Sequence, residues 1–172
     1  MTTVEQHLLS RHVDLDLHRP VINELENTAT FYLWNLSGQL TGYQQYRPGA
    51  SKDRHNDPKQ GRYYTYRTSE HMAVFGVESL HLTPHVVFVT EGIFDAVRLT
   101  ELGVSAIAVL TCNPSSSVRN FLSSLGRTVV AVCDNNRAGR KLASAGDVAV
   151  FAETDLGESS SEFVKNLVDT YC

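Results

Sequence analysis

The sequence predicts an α/β fold: a parallel sheet flanked by helices and, before it, a small α+β subdomain that contains a β-hairpin. Two observations indicate this arrangement. After His85, short apolar runs alternate with segments of helical period, and before it two strand-forming runs flank the turn residues Ser37-Gly38. Strands that alternate with helices of about ten residues need crossover connections, which make the sheet parallel and cover both of its faces.

The N-terminal subdomain is predicted to span residues 1–84. A short, weakly amphipathic helix containing Val4 and Leu8 comes first, and Pro20 breaks any continuation of it. Residues 30–47 form the predicted hairpin, because both of its runs are rich in strand-forming residues. Residues 47–67 are predicted to form a basic loop, since residues 48–61 carry the Gly, Pro, Asn and Asp of exposed loops.

Residues 85–172 are predicted to form the second domain. Its strands are expected at 86–89, 106–110, 129–133 and 148–151, and its helices at about 93–102, 118–125, 137–145 and 162–171. Gly103 and Gly126 follow the first two helices and end them, because glycine accepts the left-handed conformation that closes a helix.

Composition narrows the class of protein. Hydrophobic residues make up 42% of the 172-residue chain and charged residues 20%, which argues against a disordered chain. The apolar runs are far shorter than the roughly 20 residues that cross a bilayer, and no secretory pattern opens the chain, so we expect a cytoplasmic protein with no membrane partner. The three cysteines show no C-x-x-C spacing, and we expect Cys112 and Cys133 to be core residues.

The charge is unevenly distributed. The chain has a net charge of −4, yet residues 47–67 carry six basic residues against Asp53 and Asp57. The basic residues are Arg47, Lys52, Arg54, Lys59, Arg62 and Arg67. Clustered cations interleaved with tyrosines such as Tyr64 predict contact with a polyanion, because phosphates attract cations and bases stack on rings. A solvated loop is the alternative interpretation.

Acidic side chains follow the strands of the predicted parallel sheet. Glu91 comes after the first strand, Asp95 four residues later, and Asp134 after the third strand. Ligands of open parallel sheets bind at the carboxyl ends of the strands, and hard oxygen ligands suit Mg²⁺ or Mn²⁺. The alternative is that these carboxylates only cap helix N-termini, where the helix dipole favours negative charge.

The same residues resemble a known family. Glu91-Gly92 after the first strand, and Asp134-Asn135-Asn136 followed by Ala138-Gly139 after the third, are similar to the signature of the Toprim domain. That signature is a Glu-Gly and an Asp-x-Asp followed by Ala-Gly. The resemblance implies a Toprim-type parallel sheet and a phosphoryl-transfer site.

The resemblance extends upstream to the catalytic, RNA-polymerase core of bacterial and phage-type DNA primases. Gly38, Gly42 and Arg47 lie where primases carry a glycine-containing hairpin that ends in arginine, and Arg62-Tyr63 precedes the first Toprim strand as a Lys-Tyr does in primases. It implies a nucleotidyltransferase that lays down short RNA primers on single-stranded DNA. If a phage encodes the chain, the host cytoplasm is the expected location.

The resemblance also implies the roles of individual residues. Glu91, Asp95 and Asp134 would be catalytic, and Glu91, Asp134 and Asn136 would hold Mg²⁺ or Mn²⁺. The residues expected to contact nucleotide or template are Arg47, Lys52, Arg62, Tyr64, Arg67 and Lys141. Ribonucleotides and single-stranded DNA would be the ligands, and a separate helicase or zinc-binding protein would supply functions that the core lacks.

Three departures from the family pattern reduce the number of acidic residues in the cluster. Asn136 stands where the second aspartate of Asp-x-Asp is expected, and Ser159 and Ser161 stand where two further metal-binding aspartates are expected. The losses weaken the binding of a second cation most, so the metal site is degenerate. Two alternatives to a primase therefore remain open: a catalytically weakened Toprim protein that binds nucleic acid or a replication or transcription partner, and a small Toprim nuclease.

Overall fold

The structure is a computed structural model that describes residues 2–53, 55–68 and 72–172. Arg54, one of the six basic residues counted above, lies outside the described residues. The chain begins with two short helices, α1 (Val4–Ser10) and α2 (Leu15–His18). Thr3 caps α1 through a capping box with Gln6, which satisfies backbone donors at the start of this helix.

A four-stranded antiparallel sheet follows, with strand order β1-β2-β3-β4. Its strands are β1 (Val21–Asn23), β2 (Thr28–Trp34), β3 (Leu40–Tyr46) and β4 (Tyr63–Arg67). The predicted hairpin is present as β2 and β3. Residues 63–67, however, form β4 rather than the end of the predicted basic loop, because Tyr63, Tyr64 and Tyr66 favour a strand that pairs with β3.

The second half of the chain contains a four-stranded parallel sheet with strand order β6-β5-β7-β8. Its strands are β5 (Val86–Thr90), β6 (Ala106–Ala108), β7 (Thr128–Asp134) and β8 (Val148–Ala152), and the helices between and after them are α3 (Ile93–Thr100), α4 (Ser116–Ser124), α5 (Arg137–Ala143) and α6 (Ser161–Tyr171). This arrangement confirms the predicted fold class.

Two details of β6 differ from prediction. The strand ends at Ala108 because Leu110, at a φ of 57°, turns the chain out of the sheet. Cys112 is consequently half-buried in the following loop, so the prediction that it is a core residue is wrong, whereas Cys133 on β7 is buried as predicted.

Hydrophobic side chains cover both faces of the parallel sheet. On one face Val87, Val89 and Cys133 pack with side chains of α4 and α5. On the other face Phe88 and Val130 belong to a cluster shared with α1, α3, α6 and the antiparallel sheet. Backbone bridges pair Trp34 with Val74 and Phe75 with Ala108, so the segment before β5 connects the two sheets. The predicted boundary between residues 84 and 85 stays a prediction.

None of the helices that the structure describes has the length and apolar character needed to cross a bilayer.

Candidate functional site

Three acidic residues follow the carboxyl ends of three neighbouring strands. Glu91 comes directly after β5, Asp134 is the last residue of β7, and Asp155 lies three residues after β8. Because β5, β7 and β8 are adjacent and parallel, their carboxyl ends meet at one edge of the sheet. All three residues are exposed, so a ligand at this edge can reach them.

Glu91 and Asp134 interact electrostatically. Burial raises the pKa of Glu91, and the nearby Asp134 carboxylate raises it further. A cation bound beside both carboxylates would lower the repulsion that acts on Glu91. Gly92 follows Glu91 and occupies the N-cap position of α3, so Glu91 stands just outside the helix.

Asp95 and Asp155 form a hydrogen-bonded carboxyl pair. Burial and the Asp155 carboxylate raise the pKa of Asp95 to about 8, whereas the hydrogen bond from Asp95 lowers the pKa of Asp155. The backbone N–H of Gly157 donates to Oδ1 of both residues, at 2.9 Å in each case. At neutral pH the pair therefore holds one proton, on Asp95, and carries one negative charge.

Glu91 and Asp155 of this acidic edge line a cleft of about 250 Å³ between the two sheets, and Asp134 lies outside its lining. The parallel-sheet half contributes Glu91, Asp95 and Asp155, and the antiparallel sheet contributes Gln44 and Tyr63. Burial raises the pKa of Tyr63 to about 12, so its hydroxyl stays protonated and can donate a hydrogen bond. The cleft thus combines groups from both halves of the chain.

Sequence reasoning missed two charged residues of this cleft, Asp155 and Arg11. Asp155 had a detectable signal, since it follows a predicted strand of the sheet. Arg11 had none, because it comes from the end of α1, far from the acidic residues in sequence. Its guanidinium carbon lies 4.2 Å from the centroid of the Phe94 ring, and its charge contributes to the lowered pKa of Asp155.

Helix α3 holds the loop that carries Asp155. Besides the bond between Asp95 and Gly157, the buried Arg98 donates from Nη2 to the carbonyl of Ser159 at 2.7 Å. The Ser159 hydroxyl donates to the carbonyl of Asp155 at 3.0 Å. At this position, where the family carries an acid, the chain therefore uses a serine to shape the loop.

Asn136 caps helix α5. Its Oδ1 accepts a hydrogen bond from the backbone N–H of Gly139 at 2.8 Å. Gly139 packs closely on the end of β7, since a Cβ built there would lie 2.0 Å from the carbonyl oxygen of Asp134. The Asn136 oxygen expected to bind metal is thus already hydrogen-bonded, while the Ala138-Gly139 pair brings α5 against Asp134.

The predicted basic contacts are dispersed. Lys52 and Arg62 line a pocket of about 360 Å³ in the loop before β4. Tyr63 lines both this pocket and the cleft, so the two are adjacent. Arg62 Nε also donates to the carbonyl of Ala50 at 2.6 Å. These two predicted phosphate contacts therefore lie in a pocket beside the cleft.

Two of the remaining predicted contacts are arginines that donate to backbone carbonyls. Arg47 donates to the carbonyl of Glu26. Arg67, on the same face of β4 as Tyr63, donates from Nη2 to the carbonyl of the cleft residue Leu110 at 3.4 Å. Lys141 is exposed in the last turn of α5. Tyr64 faces away from Tyr63 because neighbouring strand residues point to opposite sides of a sheet, so the cleft does not include it.

A divalent cation fits this edge only with help from a substrate. In the described ranges, no group of three or more His, Cys, Asp and Glu side chains could hold a metal ion by itself. Mg²⁺ commonly takes one or two carboxylates and completes its shell with water and phosphate oxygens. Glu91 and Asp134 can supply those two carboxylates, so the residues present fit an ion that arrives with nucleotide phosphates.

Residues 88–160 match the family described as Toprim-like. The match contains Glu91, Asp134 and the whole acidic edge. This segment is a Toprim-like domain. The predicted resemblance to the Toprim family is thereby confirmed. No curated protein sequence matches the chain significantly.

Solved primase structures share the fold of both halves of the chain. A DnaG primase catalytic domain bound to single-stranded DNA is 18% identical, with a TM-score of 0.63, and covers 92% of this chain and 60% of its own. The Aquifex aeolicus primase, comprising zinc-binding and RNA-polymerase domains, is 22% identical, with a TM-score of 0.62 and coverages of 97% and 46%. The primase fragment of the bacteriophage T7 primase-helicase protein is 13% identical, with a TM-score of 0.56 and coverages of 84% and 62%.

The likeness is one of fold, and it extends beyond the Toprim-like domain to the antiparallel sheet. The chain spans between 46 and 62% of the length of these three structures. The chain therefore shares the fold of these primase structures.

Proposed function

We propose that the chain is the core of a primase-like nucleotidyltransferase that joins ribonucleotides on a single-stranded DNA template. One observation carries this proposal: a single cleft is lined both by Glu91, Asp95 and Asp155 of the Toprim-like domain and by Gln44 and Tyr63 of the antiparallel sheet. Phosphoryl transfer needs positioning, metal ions and cationic groups more than other protein chemistry. The cleft supplies carboxylates that can bind a metal ion, and the adjoining pocket supplies the cationic side chains of Lys52 and Arg62.

Each group has a role in this proposal. Glu91 and Asp134 would hold Mg²⁺ or Mn²⁺ together with the nucleotide phosphates, and such an ion would supply positive charge beside the reacting phosphate. Lys52 and Arg62 bind the triphosphate from the adjoining pocket. Asp95 keeps Asp155 at the cleft through their shared proton.

The remaining predicted contact residues would bind the template. Arg47, Arg67 and Lys141 contribute positive charge for the template backbone, and Tyr64 contributes a ring for a base. A helicase or a zinc-binding protein on another chain would bring the core to its template.

A second candidate is a catalytically weakened Toprim protein that binds nucleic acid without extending primers. It is favoured by Asn136, Ser159 and Ser161, which replace three acids of the family pattern, and by the proton that neutralises Asp95. The fold would then be retained for binding alone.

One assay separates the candidates. The protein is incubated with single-stranded DNA, labelled ribonucleotides and Mg²⁺ or Mn²⁺, with and without a candidate helicase. We expect short RNA, and a loss of roughly 100-fold or more with Glu91→Gln or Asp134→Asn, because each removes charge that stabilises the transferring phosphate. Asp169→Asn, an equal change on the exposed face of α6, should leave synthesis unaltered.

Other outcomes point elsewhere. Shortened DNA with the same mutant pattern would indicate a nuclease. Intact DNA binding with no product of either kind would reject both enzymes and support the second candidate.

A further inference from the structure

Five aromatic residues lie in a row on the face of the antiparallel sheet opposite the cleft. From β2 to β4 this ring row consists of Trp34, Tyr32, Tyr43, Tyr66 and Tyr64. The ring centroids of Tyr32 and Trp34 are 6.2 Å apart, those of Tyr43 and Tyr66 5.6 Å, and those of Tyr43 and Tyr64 6.2 Å. Tyr32 and Tyr43 are direct cross-strand partners, so the rings of β2 lie next to those of β3 and β4 on this face of the sheet.

Strand register fixes the side on which these rings lie. Tyr43 pairs with Tyr66, whereas Gln44 and Tyr63, their neighbours on the other face, line the cleft. Side chains alternate between the two faces of a strand, and paired residues share a face. The ring row is therefore separated from the acidic edge by the thickness of the sheet.

The rings do not serve the hydrophobic core. All five lie outside both hydrophobic clusters that the described residues form. Tyr66 is 47% exposed and the other four are half-buried, so each keeps ring surface in contact with solvent. Aromatic rings placed side by side on an open sheet are the surface on which the bases of single strands stack.

Charge and polarity around the row favour nucleic acid over an apolar protein surface. Lys59 Nζ lies 5.8 Å from the centroid of the Tyr64 ring at one end. At the other end of the row, Arg19 lines a pocket with Tyr32 and Trp34. Glu78 also lines this pocket, and its Oε1 is hydrogen-bonded to Nδ1 of His18 at 2.7 Å. Cations at both ends of the row suit a phosphate backbone that crosses it.

We propose that the ring row is a second nucleic-acid surface, which binds single-stranded DNA or RNA by stacking bases outside the cleft. Stacking requires neither a metal ion nor the acids of the cleft, so this surface does not depend on primer synthesis. Its position on the opposite face lets one strand occupy it while the cleft is occupied.

Trp34 provides a direct test, because it is the only tryptophan of the chain. The unmodified protein is titrated with oligothymidylate, and separately with oligouridylate, while Trp34 emission and the anisotropy of labelled oligonucleotide are followed. We expect either polymer to quench Trp34 emission in parallel with binding, since bases stack on the ring. Binding by anisotropy without any change in Trp34 emission would overturn the proposal.

A matched pair of variants locates the surface. Tyr66 and Tyr63 lie on the same strand with similar exposures of 47% and 41%, but on opposite faces. We expect Tyr66→Thr to weaken the binding that quenches Trp34 by roughly tenfold, as loss of one stacked base does, and Tyr63→Thr to change it less than about twofold. Equal weakening by both variants would overturn the assignment. Threonine favours strands, and circular dichroism verifies the fold of each variant.

The cation at the end of the row gives an independent readout. Lys59→Gln should reduce the dependence of log K on log salt by about 0.7, the value for one phosphate contact of a single strand. An unchanged slope would contradict a backbone contact there. Glu91→Gln should leave Trp34 quenching intact while it removes RNA synthesis. Synthesis without quenching would therefore reject only the ring row, and quenching without synthesis would reject only the proposed function.

Discussion

Asp95 carries the largest electrostatic perturbation at the candidate site. Its ordinary pKa is 3.8, and in the folded protein burial and the neighbouring Asp155 raise this pKa to about 8. Between those values the folded state keeps a proton that the unfolded state has released. The contribution of Asp95 to stability is therefore complete below its unfolded pKa and is lost as pH rises through its folded pKa.

This loss of stability with rising pH gives a prediction for Asp95→Asn. Asparagine keeps an oxygen for the Gly157 N–H and an N–H₂ group for Asp155, but it does not titrate. Between about pH 5 and pH 8 the wild-type protein should lose stability relative to the variant, by at most about 1.4 kcal/mol per pH unit for one proton. Urea denaturation across this range measures the difference.

The shifted pKa values of Asp155 and His7 do not produce this difference between wild type and variant. The lowered pKa of Asp155 acts only at more acidic pH, and the lowered pKa of His7 affects wild type and variant alike. Asp169→Asn, an exposed change of the same kind, should keep the wild-type slope. Equal slopes for wild type and Asp95→Asn would contradict the shared-proton pair.

Helix α5 is positioned against the acidic edge by close backbone packing at Gly139. A Cβ at this residue would lie 2.0 Å from the carbonyl oxygen of Asp134 and 3.0 Å from its nitrogen. Backbone atoms cannot rotate away as a side chain can, so any larger residue must displace the helix or the strand end. The Ala-Gly signature of the family thus has a steric reason in this chain.

Gly139→Ala should accordingly destabilise the protein by about 1–3 kcal/mol, the usual cost of overpacking. Arg140→Ala, at the exposed neighbouring position, should stay within about 0.5 kcal/mol of wild type. The free energy of unfolding in urea measures both. A Gly139→Ala variant as stable as Arg140→Ala would show that α5 does not pack as tightly as described.

At the scale of the whole molecule, one hydrophobic cluster joins the two sheets. Phe31 of β2 meets Phe75 edge-on at 5.7 Å and Phe94 of α3 at 6.1 Å. Phe31 is 1% exposed, so its ring is shared by the antiparallel sheet and the Toprim-like domain. The cleft lies between elements that this cluster holds together.

A shared core predicts cooperative unfolding. Trp34 emission reports on the antiparallel sheet, and the reactivity of the buried Cys133 thiol reports on β7 once Cys112 and Cys172 are replaced by serine. Burial and Asp134 raise the pKa of Cys133 to about 11, which suppresses reaction in the folded state. The two probes should give coincident urea transitions.

Phe31→Ala should shift both transitions together, by about 3–5 kcal/mol, because it opens a cavity in the shared core. Leu36→Ala, at a residue that is 55% exposed in the hairpin, is the control and should shift neither. Separate midpoints for the two probes would show that the two halves fold independently.

The sequence by itself determined much of this protein. Hydrophobic periodicity predicted the hairpin, the four parallel strands and the helices between them, because local pattern decides which face of an element is buried. The order of Glu91, Asp95 and Asp134 predicted both the Toprim-like domain and the edge of the sheet where the acids lie.

Only the tertiary structure decided the composition of the cleft and the position of the ring row. Arg11 reaches Phe94 across a long separation in sequence, and Asp155 pairs with Asp95 through a loop that α3 holds in place. Tyr64 turns away from the acids because β4 pairs with β3 in a particular register. Contacts between distant segments depend on how the sheets pack, and the local pattern of residues does not encode that packing.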